Sequence, residues 1–165
     1  MADLELELRR AEDDRRVFVL GAIGTMRLTG FLSRAAIAEA DGTIWRLERR
    51  GFWQRGVRAL ADTGVVVGEF EPRTVRRGGV LRWHGREFVL RPASSWRERY
   101  SLVQADRELA LFDGKGWGQR PLRVSVSEGI PIEPGLLLFT AFVVRGLVED
   151  ANTASAAGAS TAATG

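Results

Sequence analysis

The sequence predicts a mainly β protein: a closed antiparallel barrel of about twelve strands around one hydrophobic C-terminal helix. Three observations carry this. From Gly135 to Val144 only Thr140 is polar, so the segment has no polar face and must be buried all round or lie in lipid. The turn signals Asp41-Gly42, Asp62-Thr63-Gly64, His84-Gly85 and Ala105-Asp106-Arg107 recur every 21–22 residues between short apolar stretches. That is the rhythm of a hairpin plus its link to the next. Finally, strands with one apolar face and a helix with no polar face have one economical arrangement. The sheet closes round the helix, which also removes its edges.

Each element has its own signal. Leu4, Leu6 and Leu8 alternate with Glu5, Glu7 and Arg9, which is strand periodicity, but these residues also form helices well. Both readings stand for residues 1–34. Arg16 to Leu20 is the better strand there, being rich in β-branched and aromatic residues. Ala36–Glu39 and Thr43–Glu48 flank the first strong turn, and Val57–Ala61 and Val65–Phe70 flank the second. Val80–Trp83 pairs with Glu87–Leu90, and Tyr100–Val103 with Glu108–Phe112. Pro121–Val126 is a last strand, with Leu122, Val124 and Val126 on one side. Eight of these strands are firm.

The core helix is expected over 134–150. Pro134 suits a first helical turn, where its missing N–H costs nothing. The apolar run, broken by Arg145, falls short of the ~20 residues of a membrane span. Its core residues are Leu136, Leu137, Leu138, Phe139, Phe142 and Val143. Burying about eight large helix side chains is worth of order 10–20 kcal/mol gross, comparable to a domain's whole net stability. Residues 151–165 contain only Ala, Ser, Thr, Gly and Asn. They are expected to be a disordered tail, because they bury too little to offset their ordering entropy. Residues 1–150 thus form one domain. The runner-up, a pleckstrin-like fold of seven strands, needs an amphipathic helix, which this one is not.

This pattern resembles the tubby C-terminal-like superfamily, which includes the phospholipid scramblases and the LURP-one-related proteins. The resemblance rests on the hairpin series from Asp41-Gly42 to Asp106-Arg107, the strand 121–126, and Pro134-Gly135-Leu136-Leu137-Leu138. It covers roughly Gly30 to Asp150, and the LURP-one-related branch fits best. It implies a twelve-stranded barrel around a central helix. Tubby domains bind phosphoinositide head groups in a basic pocket, scramblases are linked to lipid and calcium, and LURP-one-related members mostly lack an assigned activity. No local motif here matches the family's lipid-binding residues. The scramblase-type acidic calcium segment and cysteine-rich stretch are missing.

Chemistry-bearing residues are few. There is no cysteine and one histidine, which excludes disulfides, thiolate metal sites and a zinc centre. His84 lies in a turn, Ser94-Ser95 reads as loop, and no Gly-x-Ser-x-Gly element accompanies them. No catalytic residue, cofactor or metal is therefore expected, and the chain reads as a non-enzyme. Gly114-Lys115-Gly116-Trp117-Gly118 lacks Walker spacing; it reads as an inter-strand loop with Trp117 tucked onto the barrel, or as a ligand-touching rim.

The charge is uneven. Residues 43–100 hold 13 Arg against 6 Asp and Glu, although the whole chain is only +3, and Lys115 is the only lysine. Arg73, Arg76, Arg77, Arg82 and Lys115 are the candidate anion-binding residues, with Arg49, Arg50, Arg55 and Arg58 upstream. Trp45, Trp53, Trp83 and Trp96 are interleaved, either packing the barrel or standing at an interface. The expected partner is an anionic lipid head group or membrane surface. The alternatives are nucleic acid bound by the same arginines and protein partners only. The acidic N-terminal stretch and the absence of a spanning run lead to a cytoplasmic expectation, peripheral to membrane at most.

Overall fold

The computed structural model describes residues 3–30, 34–51, 56–73, 78–94, 98–115, 117 and 120–162. Twelve strands precede one helix. They are β1 (Leu4–Arg10), β2 (Val17–Leu20), β3 (Gly24–Thr29), β4 (Ala35–Ala40), β5 (Thr43–Arg49) and β6 (Val57–Ala61). Next come β7 (Val66–Pro72), β8 (Gly79–Trp83), β9 (Arg86–Pro92), β10 (Arg99–Gln104), β11 (Arg107–Asp113) and β12 (Leu122–Val126), followed by α1 (Pro134–Ala162). Each strand pairs antiparallel with the next, and β12 returns to β1, with Leu4 opposite Val126 and Leu8 opposite Leu122. The sheet is thus an up-and-down barrel with no free edge. Among the described residues of 1–34 the open question resolves as strands, β1 to β3, and β1 is the one that seals the cylinder.

The turns carry the chemistry their type demands. Asp41 and Gly42 have φ of 49° and 73°, and His84 and Gly85 of 46° and 77°. Ala105 and Asp106 also lie at positive φ. Two successive positive φ values make the two-residue turn whose twist matches the flanking strands.

Alternation sends one side of every strand inward. Leu136 to Val144 of α1 are all buried, and they share one apolar cluster with the inward residues. Thr140 is fully buried; its hydroxyl donates to the Leu136 carbonyl at 2.8 Å and so needs no outside partner. The helix approaches β3, β4 and β5 most closely, and β4 presents only Ala36, Ala38 and Ala40 there. Small side chains let the backbones draw together. Across the barrel, the larger Phe88, Tyr100 and Phe112 occupy the wider gap.

One boundary differs from expectation. Residues 151–162, expected to be disordered, continue α1 to Ala162, while 163–165 lie outside the described residues. Alanine is the best helix former, and extending an existing helix avoids the nucleation cost. Positions 152–158 are exposed, so propensity rather than burial favours this part. Among the described residues no helix is long and apolar enough to cross a membrane.

Candidate functional site

A meander barrel sorts its connections into two ends. At one end lie the short turns 21–23, 41–42, 62–65, 84–85 and 105–106, together with segment 127–133, which leads into α1. At the other lie the longer connections 11–16, 30–34, 50–56, 73–78, 93–98 and 114–121, where α1 leaves the barrel. Among the described residues, the short-turn connections carry Asp41, Asp62, Asp106, Glu128 and Glu133 and no Arg or Lys. The long-loop connections carry Arg15, Arg16, Arg34, Arg50, Arg73, Lys115 and Arg120 against Glu12, Asp13, Asp14 and Glu98. The ends are therefore of opposite sign.

Local pairing engages one of these carboxylates at each end, Glu133 by Arg86 and Asp14 by Arg27. Asp14 accepts from the Arg16 backbone N–H at 2.9 Å and from Arg27 at 2.7 Å. The Arg16 hydrogen bond, aided by Arg27, holds its carboxyl below the usual range against a smaller opposing effect of desolvation. That carboxylate is already engaged, so it offsets little of the loop-end positive charge.

Where α1 leaves the barrel, two arginine-lined concavities flank it. One, about 320 Å³, is walled by Phe18 and Trp117 with Arg9, Arg10 and Arg120 around it. The other, about 430 Å³, has Arg34, Arg49 and Arg50 beside Val57, Phe70, Val143 and Leu147, with one carboxylate, Asp150, in its lining. Behind the first lies Arg145, only 7 % exposed. Its guanidinium sits 5.9 Å from the ring centres of both Phe18 and Trp117 and pairs with Glu149 at 2.8 Å. Trp117 Nε1 donates to the same Glu149 oxygen at 3.2 Å. Arg145 Nε finds no acceptor among the described residues. Burial, with Arg49 and Arg10 nearby, pushes the Arg145 pKa down, against the pull of Glu149. Arg49 reaches Asp150 at 3.4 Å and lies over Gly146, where any Cβ would collide with its guanidinium.

The residues named from sequence fall in different places. Arg73 begins the 73–78 connection at the arginine-rich end and is exposed. Lys115 lies at the same end; its backbone N–H donates to Asp113 at 3.0 Å. Arg82 instead stands on the outer face of β8, 3.5 Å from both Glu71 and Glu87. It belongs to a cross-strand charge ladder and does not join the other two. Arg76 and Arg77 lie outside the described residues, as do Arg55, Trp53 and Trp96. Arg58 pairs with Glu48.

Two tryptophans take the packing role and not the interfacial one. Trp45 is 8 % exposed and Trp83 fully buried. Trp83 stacks on Phe139 at 5.6 Å and donates Nε1 to Glu133 at 2.8 Å. His84 edges onto the Trp83 ring in its turn. Among the described residues no group of carboxylates and histidine could hold a metal ion. The sequence reading missed Arg10, Arg120 and Arg145 as neighbours; only the lone charge in an apolar helix marked Arg145.

Compared with protein-family models, with curated proteins and with solved structures, the chain matches none of them.

Proposed function

We propose that this chain is a non-enzymatic docking module of tubby-like, LURP-one-related fold that meets anionic lipid head groups with its arginine-rich barrel end. One observation carries the reading: among the described residues, arginines separated by more than a hundred positions in sequence are gathered at one end, while the connections of the opposite end are acidic. Such a charge dipole orients the molecule before contact, because the field of an anionic surface attracts one end and repels the other. The arginine-lined concavities beside α1 give head-group phosphates defined places to bind. The helix fills the interior, which leaves the rim and the outer faces for ligands. The nucleic-acid reading uses the same arginines. It is the weaker one: of the three described tryptophans, Trp45 and Trp83 are buried and cannot serve as stacking platforms, and only Trp117, packed against the core with Nε1 on Glu149, is partly exposed at the arginine-rich end.

The test is co-sedimentation with neutral and anionic vesicles, comparing wild type with Arg50→Ala/Arg73→Ala/Arg120→Ala. All three arginines are exposed. Wild type should bind only anionic vesicles, and less well as salt rises. At about 1 kcal/mol per arginine near the surface, the triple variant should lose roughly a hundredfold in affinity. Equal binding to neutral vesicles, or no loss in the variant, sinks the proposal. Displacement by single-stranded nucleic acid at lower concentration than by vesicles would favour the second reading.

A further inference from the structure

The outer wall of the barrel carries a groove of about 1000 Å³ along β9 and β10, lined by Arg73, Arg91, Val89, Val103, Glu87 and Asp106 among others. Its polarity follows from the strand. Glu87, Val89 and Arg91 alternate with the buried Phe88 and Leu90, so all three face outward. Arg91 and Arg73 mark the long-loop end and Glu87 and Asp106 the short-turn end, and between them lies half-buried Val89, paired with the buried Val103. Arg91 and Asp106 take part in no ion pair among the described residues, and Glu87 meets only Arg82, at 3.5 Å. The groove is thus cationic at one end, apolar in the middle and anionic at the other.

We propose that this groove docks an extended peptide segment bearing an acidic and a basic side chain four residues apart, with an apolar residue midway. The spacing is set by β9 itself. Glu87 and Arg91 are four residues apart on one face, about 13 Å along the strand. An extended peptide has the same repeat, so its residues i, i+2 and i+4 point to one side at matching separations. β9 is already hydrogen-bonded to β8 and β10, so the ligand adds no strand. It is held by side chains, and selectivity comes from charge complementarity. A lipid head group is a poorer fit, because the Glu87–Asp106 end repels phosphate. The inference does not rest on the lipid-docking reading, although Arg73 belongs to both surfaces, so its test changes only Arg91 and Glu87.

The test uses fluorescein-labelled, end-capped seven-residue peptides read by fluorescence polarisation. One has Glu and Lys four positions apart with Val midway; the controls carry Glu/Glu or Lys/Lys there. Wild type should bind the Glu/Lys peptide saturably and in preference to both controls. Arg91→Glu makes the groove more acidic, so it should weaken the Glu/Lys peptide about tenfold and shift preference to Lys/Lys. Glu87→Lys should shift preference to Glu/Glu. Both positions are exposed, and unchanged melting of each variant shows that folding is not the cause. The proposal is overturned by no wild-type binding up to about 1 mM, by Glu/Glu binding as tightly as Glu/Lys, or by variants that leave the preference unchanged.

Discussion

Arg145 concentrates the residue-scale physics. It is a buried cation with one carboxylate partner among the described residues, Glu149, and two further arginines nearby. The two members are unequal: removing Glu149 leaves a buried cation uncompensated, whereas removing Arg145 leaves a partly exposed carboxylate that water reaches and that still accepts from Trp117. Glu149→Ala should therefore destabilise by about 1–3 kcal/mol, below the full cost for a buried pair, since the Glu149 side chain is 39 % exposed. Arg145→Met removes the buried charge and keeps most of the stem's packing, so its loss should be smaller, about 1 kcal/mol or less. Urea unfolding of both variants decides this, and a larger loss for Arg145→Met would contradict it. Trp83 has the opposite kind of surroundings. A Cβ on Gly68 or Gly135 would come within 2.7 Å and 2.6 Å of its ring. Those glycines make room for the largest side chain of the core.

At the scale of elements, α1 is two helices in one. Its first part, through Val144, is buried on every side, and its last part, from Asn152, is exposed through Gly158. The two should respond oppositely to change. Leu137→Asp places an unpaired charge where the wild-type side chain is 2 % exposed, at a cost that exceeds a domain's margin of stability. No folded protein should be recovered; soluble expression with wild-type melting would refute the role given to the helix. Ending the chain after Asp150 should shift the melting temperature by no more than about 2 °C, the range of surface changes. The helical circular-dichroism signal should fall. A large drop in melting temperature would mean that the extension contributes to the core after all.

Among the described connections, topology divides the charge between the two barrel ends. Alternate connections of a meander go to alternate ends, so charge segregates by parity of connection and not by region of sequence. The excess seen over residues 43–100 is only partly a cluster in space: Arg82 and Arg58 are spent on ladders along the wall, while Arg15, Arg16 and Arg120, outside that window, lie at the arginine-rich end. Docking should therefore be oriented. Replacing Asp41 and Asp62 by Asn, at the short-turn end, should leave vesicle affinity within about twofold, since these groups lie farther than a Debye length from the contact. Equal sensitivity of both ends would refute the orientation.

What the amino-acid sequence determines by itself is whatever rests on local periodicity and local backbone chemistry. The turns at Asp41-Gly42, His84-Gly85 and Ala105-Asp106 are set by residues in or beside the turn, and Thr140 satisfies itself within its own helix. The all-apolar run 135–144 demands burial wherever it goes, which made the barrel around a helix readable. The candidate site was far less legible. Arg73 and Lys115 could be named but not placed together, and Arg82 could not be told from them. Arg10, Phe18, Trp117 and Arg145 come from β1, β2, the 114–121 connection and α1, and nothing local to any of them announces the others. Two features needed the folded chain for the same reason. The closing contact of β1 with β12 joins residues more than a hundred positions apart, and the groove on β9 and β10 depends on which side of the wall faces solvent. Long-range proximity and the sign of each barrel end are properties of closure, and closure is a property of all twelve strands at once.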